Sequence, residues 1–490
     1  MTKHLDIDTK AMRAKILDLA IQGKLTDQRE EDGNARDLLK EIQAEKEKLI
    51  KEKKIKKEKP LPEITEEEKP FEIPDNWEWV RLGDICQINP RNHVQDENVN
   101  VSFLPMALIG EGYGSNYCPE IRKWKDVKKG FTHFANNDVV LAKISPCFQN
   151  LKSAIMNNLI NGIGAGTTEL HVLRRYSHTL DPKYLLCFVQ NQSLIKDGIK
   201  TFKGVVGQQR IGKDFIKEYL CPLPPLAEQK RIADKVSKLF AQLDAIDKAY
   251  EEYRELQQAM KAKLLELAIQ GKLTDQRDED GDARDLFQDI QEEKQRLIAE
   301  KKIKKEKPLP EIKADEIPFE IPKNWMWVRL GNICSKVVDG AHNPPKGSNH
   351  PTPYIMASSQ NINNDRLVNL YNVRYLSKEV FEKENLRTLA SEGDIFFTSV
   401  GSLGRSCVYD GSLNICFQRS VSVITAQIYN WYLKRCFDSP YYQNMMYAEA
   451  KGTAQKGFYL KQLSNSLIPL PPLAEQKRIV AKLDELLPLL

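Results

Sequence analysis

The block PLPPLAEQKRI occupies Pro222–Ile232 and occurs again at Pro469–Ile479, an offset of 247 residues. Three further blocks recur at an offset of 248 residues: AIQGKLTDQR at 20–29 and 268–277, KKIKKEKPLPEI at 53–64 and 301–312, and FEIPDNWEWVRLGDIC at 71–86, which returns as FEIPKNWMWVRLGNIC at 319–334. A repeat of this length indicates a duplicated domain rather than a solenoid.

Two unlike segments of almost equal length lie between the matched blocks, at residues 87–221 and 335–468. Each follows a Trp-x-Trp-Val-x-Leu-Gly run that favours a strand, at Trp77 and Trp325. Short β-rich runs then alternate with helical stretches; the runs are 138–144, 169–173, 394–398 and 420–425, and the helices 182–192 and 431–439. The sequence therefore predicts a repeated frame that carries two variable α+β domains.

Bulk composition limits the class of protein. The 490 residues are 41% hydrophobic and 29% charged, with a net charge of +5, which suits several globular domains that meet nucleic acid. No apolar run of about 18 residues predicts a membrane span, and Met1–Lys10 has no signal-peptide core. The nine cysteines form no CxxC pair, so we expect reduced thiols in a cytoplasmic protein.

A heptad pattern follows the first PLPP block. Its apolar positions alternate spacings of four and three and predict the seam of a coiled coil, which Gly271 ends: Ile232, Val236, Leu239, Leu243, Ile246, Tyr250, Tyr253, Met260, Leu264 and Leu267. Gln257 interrupts the pattern once. An ordinary amphipathic surface helix is the alternative, but five heptads in register favour the coiled coil.

The repeat supplies a partner helix in two pieces. Ile479, Leu483, Leu486 and Leu490 match the first four seam positions, and Leu5, Met12, Ile16 and Leu19 match Tyr253, Met260, Leu264 and Leu267. By the offsets only about five residues are missing between the chain ends. We therefore expect the terminal segments to stack as a second, antiparallel helix, which gives the molecule pseudo-twofold symmetry. The alternative is that the chain is truncated at Leu490.

A second frame element is lysine-rich. Ala35–Lys59 and its copy Ala283–Lys307 are each predicted to be a helix with a basic tip, ended by the prolines that follow. Three interpretations stay open: a solvated charged arm, an arm that contacts phosphates, or an arm that docks a partner subunit.

The variable segments carry side chains that can read base edges on Gly-rich loops. The candidates in the first segment are Lys143, Ser145, Thr167, Thr168, Lys203, Gln208, Gln209 and Arg210. Those in the second are Ser358, Ser359, Gln360, Asn361, Ser399, Ser402, Arg405, Gln418, Arg419, Lys451, Thr453, Gln455 and Lys456. Any one of them could be a plain surface group; as sets in two copies they favour DNA recognition.

Two other stretches resemble catalytic or phosphate-binding motifs only in part. Asn343–Lys346 reads Asn-Pro-Pro-Lys, but the motif of adenine methyltransferases ends in an aromatic residue that stacks on the flipped base. Gly162–Gly166 lacks the Gly-Lys-Ser/Thr of a phosphate loop and is predicted to be a β-turn. The histidines show no metal-ligand spacing, so no metal site and no catalytic constellation is predicted.

The frame resembles that of the specificity subunits of Type I restriction-modification systems. The resemblance rests on the two PLPPLAEQKRI blocks, the LAIQGKLT blocks and the IPxNWxWVRLG entries, with Asp339–His342 similar to a common opening of such domains. It implies a non-catalytic subunit in which two target-recognition domains each bind half of a bipartite DNA site. The helices would set their distance and hold two methyltransferase (modification) subunits for adenine methylation, and restriction subunits would join them.

The resemblance also implies a division of the chain and of the chemistry. The predicted segments are 1–70 (N-terminal helix and basic arm), 71–221 (first target-recognition domain), 222–271 (central coiled-coil helix), 272–318 (repeat of the basic arm), 319–468 (second target-recognition domain) and 469–490 (C-terminal helix). The chain would need no cofactor of its own, and S-adenosylmethionine, ATP and Mg would belong to partner subunits. The alternatives are the specificity portion of a single-chain restriction-methylation enzyme and a structural coiled-coil adaptor.

Overall fold

The computed structural model describes residues 7–176, 178–205, 208–348, 350–452 and 456–490. It divides into two compact units, a first that ends at Tyr250 and a second that runs from Glu251 to Leu490. Each unit holds one copy of every repeated block. Both mix helices and short strands, so the predicted α+β class is confirmed.

Eight helices and ten strands begin within the described residues of the first unit. The helices are α1 (Thr9–Ile21), α2 (Ala35–Lys51), α3 (Leu82–Ile85), α4 (Trp124–Val127), α5 (Pro182–Val189), α6 (Gln192–Lys200), α7 (Lys213–Glu218) and α8 (Leu226–Ile269), which continues past the unit's end. The strands are β1 (Glu78–Arg81), β2 (Cys86–Ile88), β3 (Asn100–Leu104), β4 (Glu120–Lys123), β5 (Thr132–Ala135), β6 (Val139–Ala142), β7 (Ser153–Ile155), β8 (Ile163–Gly166), β9 (Leu170–Arg175) and β10 (Leu220–Leu223).

The second unit repeats this plan. Its helices are α9 (Ala283–Ala299), α10 (Lys378–Thr388), α11 (Asn430–Asp438), α12 (Pro440–Glu449), α13 (Leu460–Asn465) and α14 (Leu473–Leu486). Its strands are β11 (Met326–Arg329), β12 (Cys334–Asp339), β13 (Tyr354–Ala357), β14 (Ile362–Asn363), β15 (Arg366–Leu367), β16 (Arg374–Tyr375), β17 (Ile395–Thr398), β18 (Ser406–Val408), β19 (Asn414–Phe417), β20 (Val421–Ala426) and β21 (Leu467–Leu470).

The two variable domains share a sheet order that their sequences do not show. An antiparallel sheet has the order β2-β9-β6-β7 in the first unit and β12-β20-β17-β18 in the second. A mixed sheet follows, β4-β3-β8-β5 in the first and β16-β13-β19 in the second, each with one parallel pair. The duplicated domains have therefore kept the order of the antiparallel sheet while their side chains differ, whereas the mixed sheet has four strands in the first and three described strands in the second.

A two-stranded clasp closes each variable domain. Strand β1 pairs with β10, with Trp79 opposite Pro222, and β11 pairs with β21, with Trp327 opposite Pro469. The entry block and the PLPP block of each copy thus meet as neighbouring antiparallel strands. Both ends of a variable domain consequently leave the frame at one place, which makes the domain an insertion between paired strands.

A buried carboxylate joins three repeated blocks in each unit. The Glu228 side chain accepts hydrogen bonds from Trp77 Nε1 (2.7 Å), Gln28 Nε2 (2.7 Å) and Thr26 Oγ1 (3.1 Å), and Glu228 is 0% exposed. Glu475 does the same for Trp325, Gln276 and Thr274. Burial raises the pKa of Glu228, and these three donors only partly offset that rise. Three blocks that are far apart in the sequence are fixed to one another at this group.

Residues next to the carboxylate extend the junction. Gln229 donates to the Pro224 carbonyl and accepts from the Asp181 amide, where α5 begins, and Arg231 pairs with Asp32. Gly23 lies in the left-handed region (φ 67°), and a Cβ there would stand 2.5 Å from Pro74 Cγ, so only glycine fits. The repeated sequence is thus explained by contacts within the frame.

Within the first unit, α1 runs antiparallel to α8. Arg13 pairs with Asp244 (2.5 Å) and Thr9 Oγ1 donates to Asp247 (2.7 Å), whereas Thr26 lies at Glu228. Within the second unit, α14 is antiparallel to the end of α8, because Thr274 lies at Glu475 and Gln257 donates to the Leu490 carbonyl. The expected antiparallel direction is therefore present in each unit.

The predicted seam is buried at its N-terminal end, half-buried at its C-terminal end and exposed in its middle. Ile232, Val236 and Leu243 are buried, and Leu239, Leu264 and Leu267 are half-buried. Ile246, Tyr250, Tyr253 and Met260 are exposed, Met260 to 53%. Helix α1 begins only at Thr9, and Leu5, the expected partner of this stretch, lies outside the described residues. Continuous packing over five heptads stays a prediction.

Two local predictions were wrong. The basic helices end at Lys51 and Ala299, well before the prolines, because Lys53 adopts φ 58° and the Lys54 amide bonds back to the Leu49 carbonyl at 2.9 Å. Residues 163–166 form strand β8 and not a turn. A Cβ at Gly164 would lie 2.5 Å from the Ser102 carbonyl oxygen, so these glycines permit close strand packing.

Replacing the joining carboxylate should destabilise the unit that contains it. Glu228→Ala leaves the Trp77 indole, the Gln28 amide and the Thr26 hydroxyl without their acceptor, which costs about 1–3 kcal/mol of unfolding free energy. Glu475→Ala should behave alike. Thermal unfolding measures the effect, with Glu255→Ala on the exposed face of α8 as control, expected within about 0.5 kcal/mol of the unmodified chain. An effect of Glu228→Ala no larger than the control contradicts this account.

Candidate nucleic-acid interface

Three loops of the first variable domain converge on one site. The segment after β6 carries Lys143 and Ser145, the β8–β9 turn carries Thr167 and Thr168, and the third loop is Lys203–Arg210, of which Val206 and Gly207 lie outside the described residues. Backbone bonds join the three: the Lys143 amide to the Glu169 carbonyl (2.9 Å) and the Ser145 amide to the Gln209 carbonyl (2.8 Å). All eight candidate residues of this domain therefore lie on adjoining loops.

A bidentate ion pair fixes the arginine of this site. Arg210 Nε and Nη2 donate to the two carboxylate oxygens of Glu169 at 2.8 and 2.9 Å, and Nη1 donates to the Gln208 carbonyl. The hydrogen bond from Arg210 lowers the pKa of Glu169, and burial opposes it only in part. The guanidinium is thus held in one orientation. Nothing in the local sequence points to Glu169, which lies 41 positions away.

A neutral histidine stabilises the third loop of this site. His171 on β9 is buried, and its Nε2–H donates to the Ile211 carbonyl at 3.2 Å. Burial lowers its pKa to about 4, so the ring is uncharged at neutral pH. Ser145 is also buried, and its Oγ accepts from the Gln209 amide at 3.2 Å. These two side chains hold the third loop and leave Thr168, Lys203 and Gln208 exposed.

The second variable domain has candidates on the corresponding loops, and four others, Ser358–Asn361, follow β13. Ser399–Arg405 follows β17, Gln418–Ser420 joins β19 to β20, and the third segment is Lys451–Gly457. Val400 and Lys451 both bridge to Gly457, as Ile144 and Lys203 bridge to Arg210 in the first domain. The Ser420 hydroxyl accepts from the Ser359 amide (3.1 Å) and its carbonyl from the Ser399 amide (2.9 Å), which joins the loops.

The candidate DNA-binding residues of the second domain differ in their exposure to solvent. Gln360, Arg405, Arg419, Lys451 and Lys456 are exposed, and Ser358, Ser402 and Gln418 are half-buried. Ser359, Asn361 and Ser399 are buried. Asn361 donates to the backbone of 368–372, and Ser399 bonds Ser422. These buried groups shape the loops, and the predicted reading role falls to the exposed ones. Thr453 and Gln455 lie outside the described residues.

A cleft of about 180 Å³ opens between these loops. Its lining includes His342, Ser359, Gln418, Arg419 and Ser420. Beside it the Asp339 carboxylate pairs with Arg387 and with His342 Nε2 (2.7 Å). Burial alone would raise the pKa of Asp339, but its bonds to Arg387 and His342 outweigh that effect and lower it. Sequence reasoning missed Arg387, which lies on α10, 48 positions from Asp339.

The Asn-Pro-Pro-Lys segment has a structural role. Arg374 on β16 donates to the Pro344 and Pro345 carbonyls at 3.3 and 2.8 Å.

Within the described ranges, no group of three or more His, Cys, Asp or Glu side chains is placed to hold a metal ion. No helix in the same ranges is long and apolar enough to cross a membrane.

Comparison with known proteins identifies the frame and the domains that it carries. The family model of the Type I restriction modification DNA specificity domain matches residues 74–253 and 322–488. The chain belongs to this family. It is 36% identical to the Type I restriction enzyme EcoAI specificity subunit of Escherichia coli, over 98% of this chain and 89% of the relative.

A further relative supports the same assignment, and a solved structure has a similar fold. The Type I restriction enzyme EcoEI specificity subunit of Escherichia coli is 34% identical over 97% of this chain and 88% of its own. A solved chain from work on complex assembly and conformational transition of the type I R-M system has a TM-score of 0.57 at 20% identity, over 85% of this chain and 91% of its own. This solved chain and the present one are alike in fold.

Removing Glu169 should release the arginine of the first site. In Glu169→Ala the Arg210 guanidinium loses both bonds that orient it, so we expect weaker discrimination in one half of the DNA motif, by about 1–3 kcal/mol if Arg210 reads a base. Binding to unrelated DNA should rise, because a negative charge leaves the site. Competition binding with matched and altered duplexes measures both. Glu120→Ala, on an exposed strand, is the control; equal discrimination in the two variants contradicts the role given to Glu169.

Proposed function

We propose that this chain is the DNA-reading subunit of a Type I restriction-modification complex and that each variable domain reads one half of a bipartite target. The observation that carries the proposal is the pair of three-loop sites. They follow corresponding strands of two sheets with the same order, β6 and β17, and both display Arg, Lys and Gln side chains. Such side chains pair with the edges of guanine and adenine in the major groove.

The different side chains of the two sites support two different half-sites. Arg210 is clamped by Glu169 in the first domain, whereas Arg405 and Arg419 are exposed in the second. The frames that hold the two sites are nearly identical in sequence. We infer that the two copies of the frame hold their domains in the same way, while each domain recognises different bases.

We assign catalysis to partner subunits. Two methyltransferase subunits would carry out adenine methylation with S-adenosylmethionine, and restriction subunits would cleave DNA with ATP and Mg. Two observations support this: the similar proteins are named specificity subunits of restriction enzymes, and the solved neighbour comes from work on complex assembly. This chain would contribute recognition and no active site.

We further infer that the paired helices form an antiparallel coiled coil with pseudo-twofold symmetry that sets the spacer between the half-sites. Support comes from the heptad pattern and from the antiparallel packing of α1 and α14 on α8 inside their own units.

Exchanging one variable domain should change half of the recognised motif. Strand β21 pairs with β11, so residues 335–468 begin and end close together and can be replaced by the matching segment of a relative. Methylome sequencing of cells that carry the complete system should show one altered half-site and one unaltered. The matched control is the exchange of residues 87–221, which should alter the other half. If either exchange changed both halves, the modular assignment would be wrong.

Lengthening α8 should lengthen the spacer. Seven residues inserted in register near Ile246 add about 10 Å to a helix, or about three base pairs of DNA. A five-residue insertion should instead rotate the apolar stripe away from its partner and impair folding. The methylated motif of cells with each variant is the measurement. A folded, active seven-residue variant with the original spacer would show that the helix does not set it.

A further inference from the structure

Two short segments of the frame concentrate positive charge on the surface. Lys53–Lys59 and Lys301–Lys307 both read KKIKKEK, with five lysines in seven residues. We name them the first and second basic strips. Every lysine in them is exposed, and only Ile55 and Ile303 are half-buried. The strips sit just after α2 and α9, so they are the ends of the lysine-rich arms whose role the sequence left open.

The backbone of each strip is held at both ends. At the start the Lys54 amide bonds to the Leu49 carbonyl at 2.9 Å, and Ile55 packs on the core. Beyond the other end Arg81 donates to the Pro62 carbonyl at 2.8 Å and to Glu68. The second strip has the same hydrogen bonds, with Lys302 bonded to Leu297 and Arg329 to Pro310. The lysines are therefore displayed from a fixed backbone.

Most of these lysines have no partner within the described part of the chain. Lys54 pairs with Glu52 and Lys302 with Glu300, each at 2.7 Å. The other four lysines of each strip form no ion pair there: Lys53, Lys56, Lys57, Lys59, Lys301, Lys304, Lys305 and Lys307. Each strip thus presents four lysines without an ion pair to solvent.

One ion pair connects the first strip to α7, the helix that follows the third loop. Glu58 pairs with Lys217 at 2.6 Å and lies 4.0 Å from Lys213, at the start of α7. Lys213 follows Arg210 by three residues, a span of at most about 11 Å. The strip is therefore tied to the helix that directly follows the third loop of the first domain.

The conformation of the first lysine favours a role for its side chain. Lys53 and Lys301 lie in the left-handed region, at φ 58° and 57°. Glycine is the usual residue at this position after a helix, because a Cβ there is strained. The frame uses glycine at the end of α8, where Gly271 has φ 68°. Both strips nevertheless have lysine.

We propose that each basic strip binds phosphates of the DNA beside a half-site without reading its sequence. The inference rests on the proposed function and extends it. The strips are identical where the base readers differ, as expected for binding to a backbone that is the same at every site. A protein partner is less suited, because protein interfaces are poor in lysine and centre on apolar and aromatic groups, and the strips expose only charged side chains.

The test is the salt dependence of DNA binding by the complex with its modification subunits. Lys56→Gln, Lys57→Gln, Lys304→Gln and Lys305→Gln are combined in one variant. The slope of log K against log salt should shrink by about 0.9 for each phosphate that the variant no longer neutralises, while the preference for the methylated motif over unrelated DNA stays unchanged. Arginine at the same four positions should restore the slope.

A second set of substitutions controls for net charge. Lys230, Lys235, Lys477 and Lys482 occupy matching positions in the two PLPPLAEQKRI copies and the helices that follow them. Their replacement by glutamine should leave the slope unchanged. An unaltered slope in the strip variant overturns the proposal, as does dissociation of the modification subunits from that variant in size-exclusion chromatography. If the unmodified complex itself showed no preference for its motif, the proposed function would fail instead.

Glycine at the left-handed position separates a binding role from a structural one. Lys53→Gly with Lys301→Gly relieves backbone strain, so the melting temperature should rise by about 2–4 °C. The salt slope should nevertheless fall, because the variant has two fewer cations in the strips. A variant that gains stability and keeps the slope of the unmodified chain would contradict phosphate binding by these lysines.

Discussion

The rest of each unit depends on one buried carboxylate. Glu228 and Glu475 each accept three hydrogen bonds from side chains that belong to two other repeated blocks. A buried carboxylate without donors is costly, so all three blocks must be in place for the group to be satisfied. The start of α8 or α14, the entry strand of a variable domain and the end of the preceding helix are thereby fixed together.

This constraint explains how a nearly constant frame can carry different domains. The clasps β1–β10 and β11–β21 consist of the repeated blocks, so the variable chain between them begins and ends at a fixed point. The hydrogen bonds that hold the frame lie outside the loops that differ. Recognition can therefore change without disturbing the packing that stabilises the unit.

In the proposed complex, base recognition and phosphate binding would use different parts of the protein surface. The candidate base readers lie on loops that are joined by backbone bonds and, at Arg210, by an ion pair, which would reduce the entropy cost of binding. The basic strips lie on the frame and are the same in both units. Specificity would thus come from the variable loops, and sequence-independent affinity in part from the repeated frame.

The sequence by itself determined the features that depend on local spacing or on repetition. The four repeated blocks predicted the duplicated frame, the alternation of short runs predicted strands such as β6 and β17, and the heptads predicted α8 with its end before Gly271. The loops that carry the predicted base readers also follow from Gly-rich composition next to those strands. Each of these signals is carried by residues close together in the chain or by direct identity.

Only the tertiary structure decided which distant residues meet. The shared sheet order, the Glu169–Arg210 pair, the Asp339–Arg387 pair and the burial of Asn361 all join positions whose spacing carries no signal. The helix that stops at Lys51 and the glycines of β8 were misread for the same reason. Residues 163–166 form a strand because β3 and β5 flank them, and α2 ends early because Ile55 packs on the core: packing against distant segments outweighs local preference.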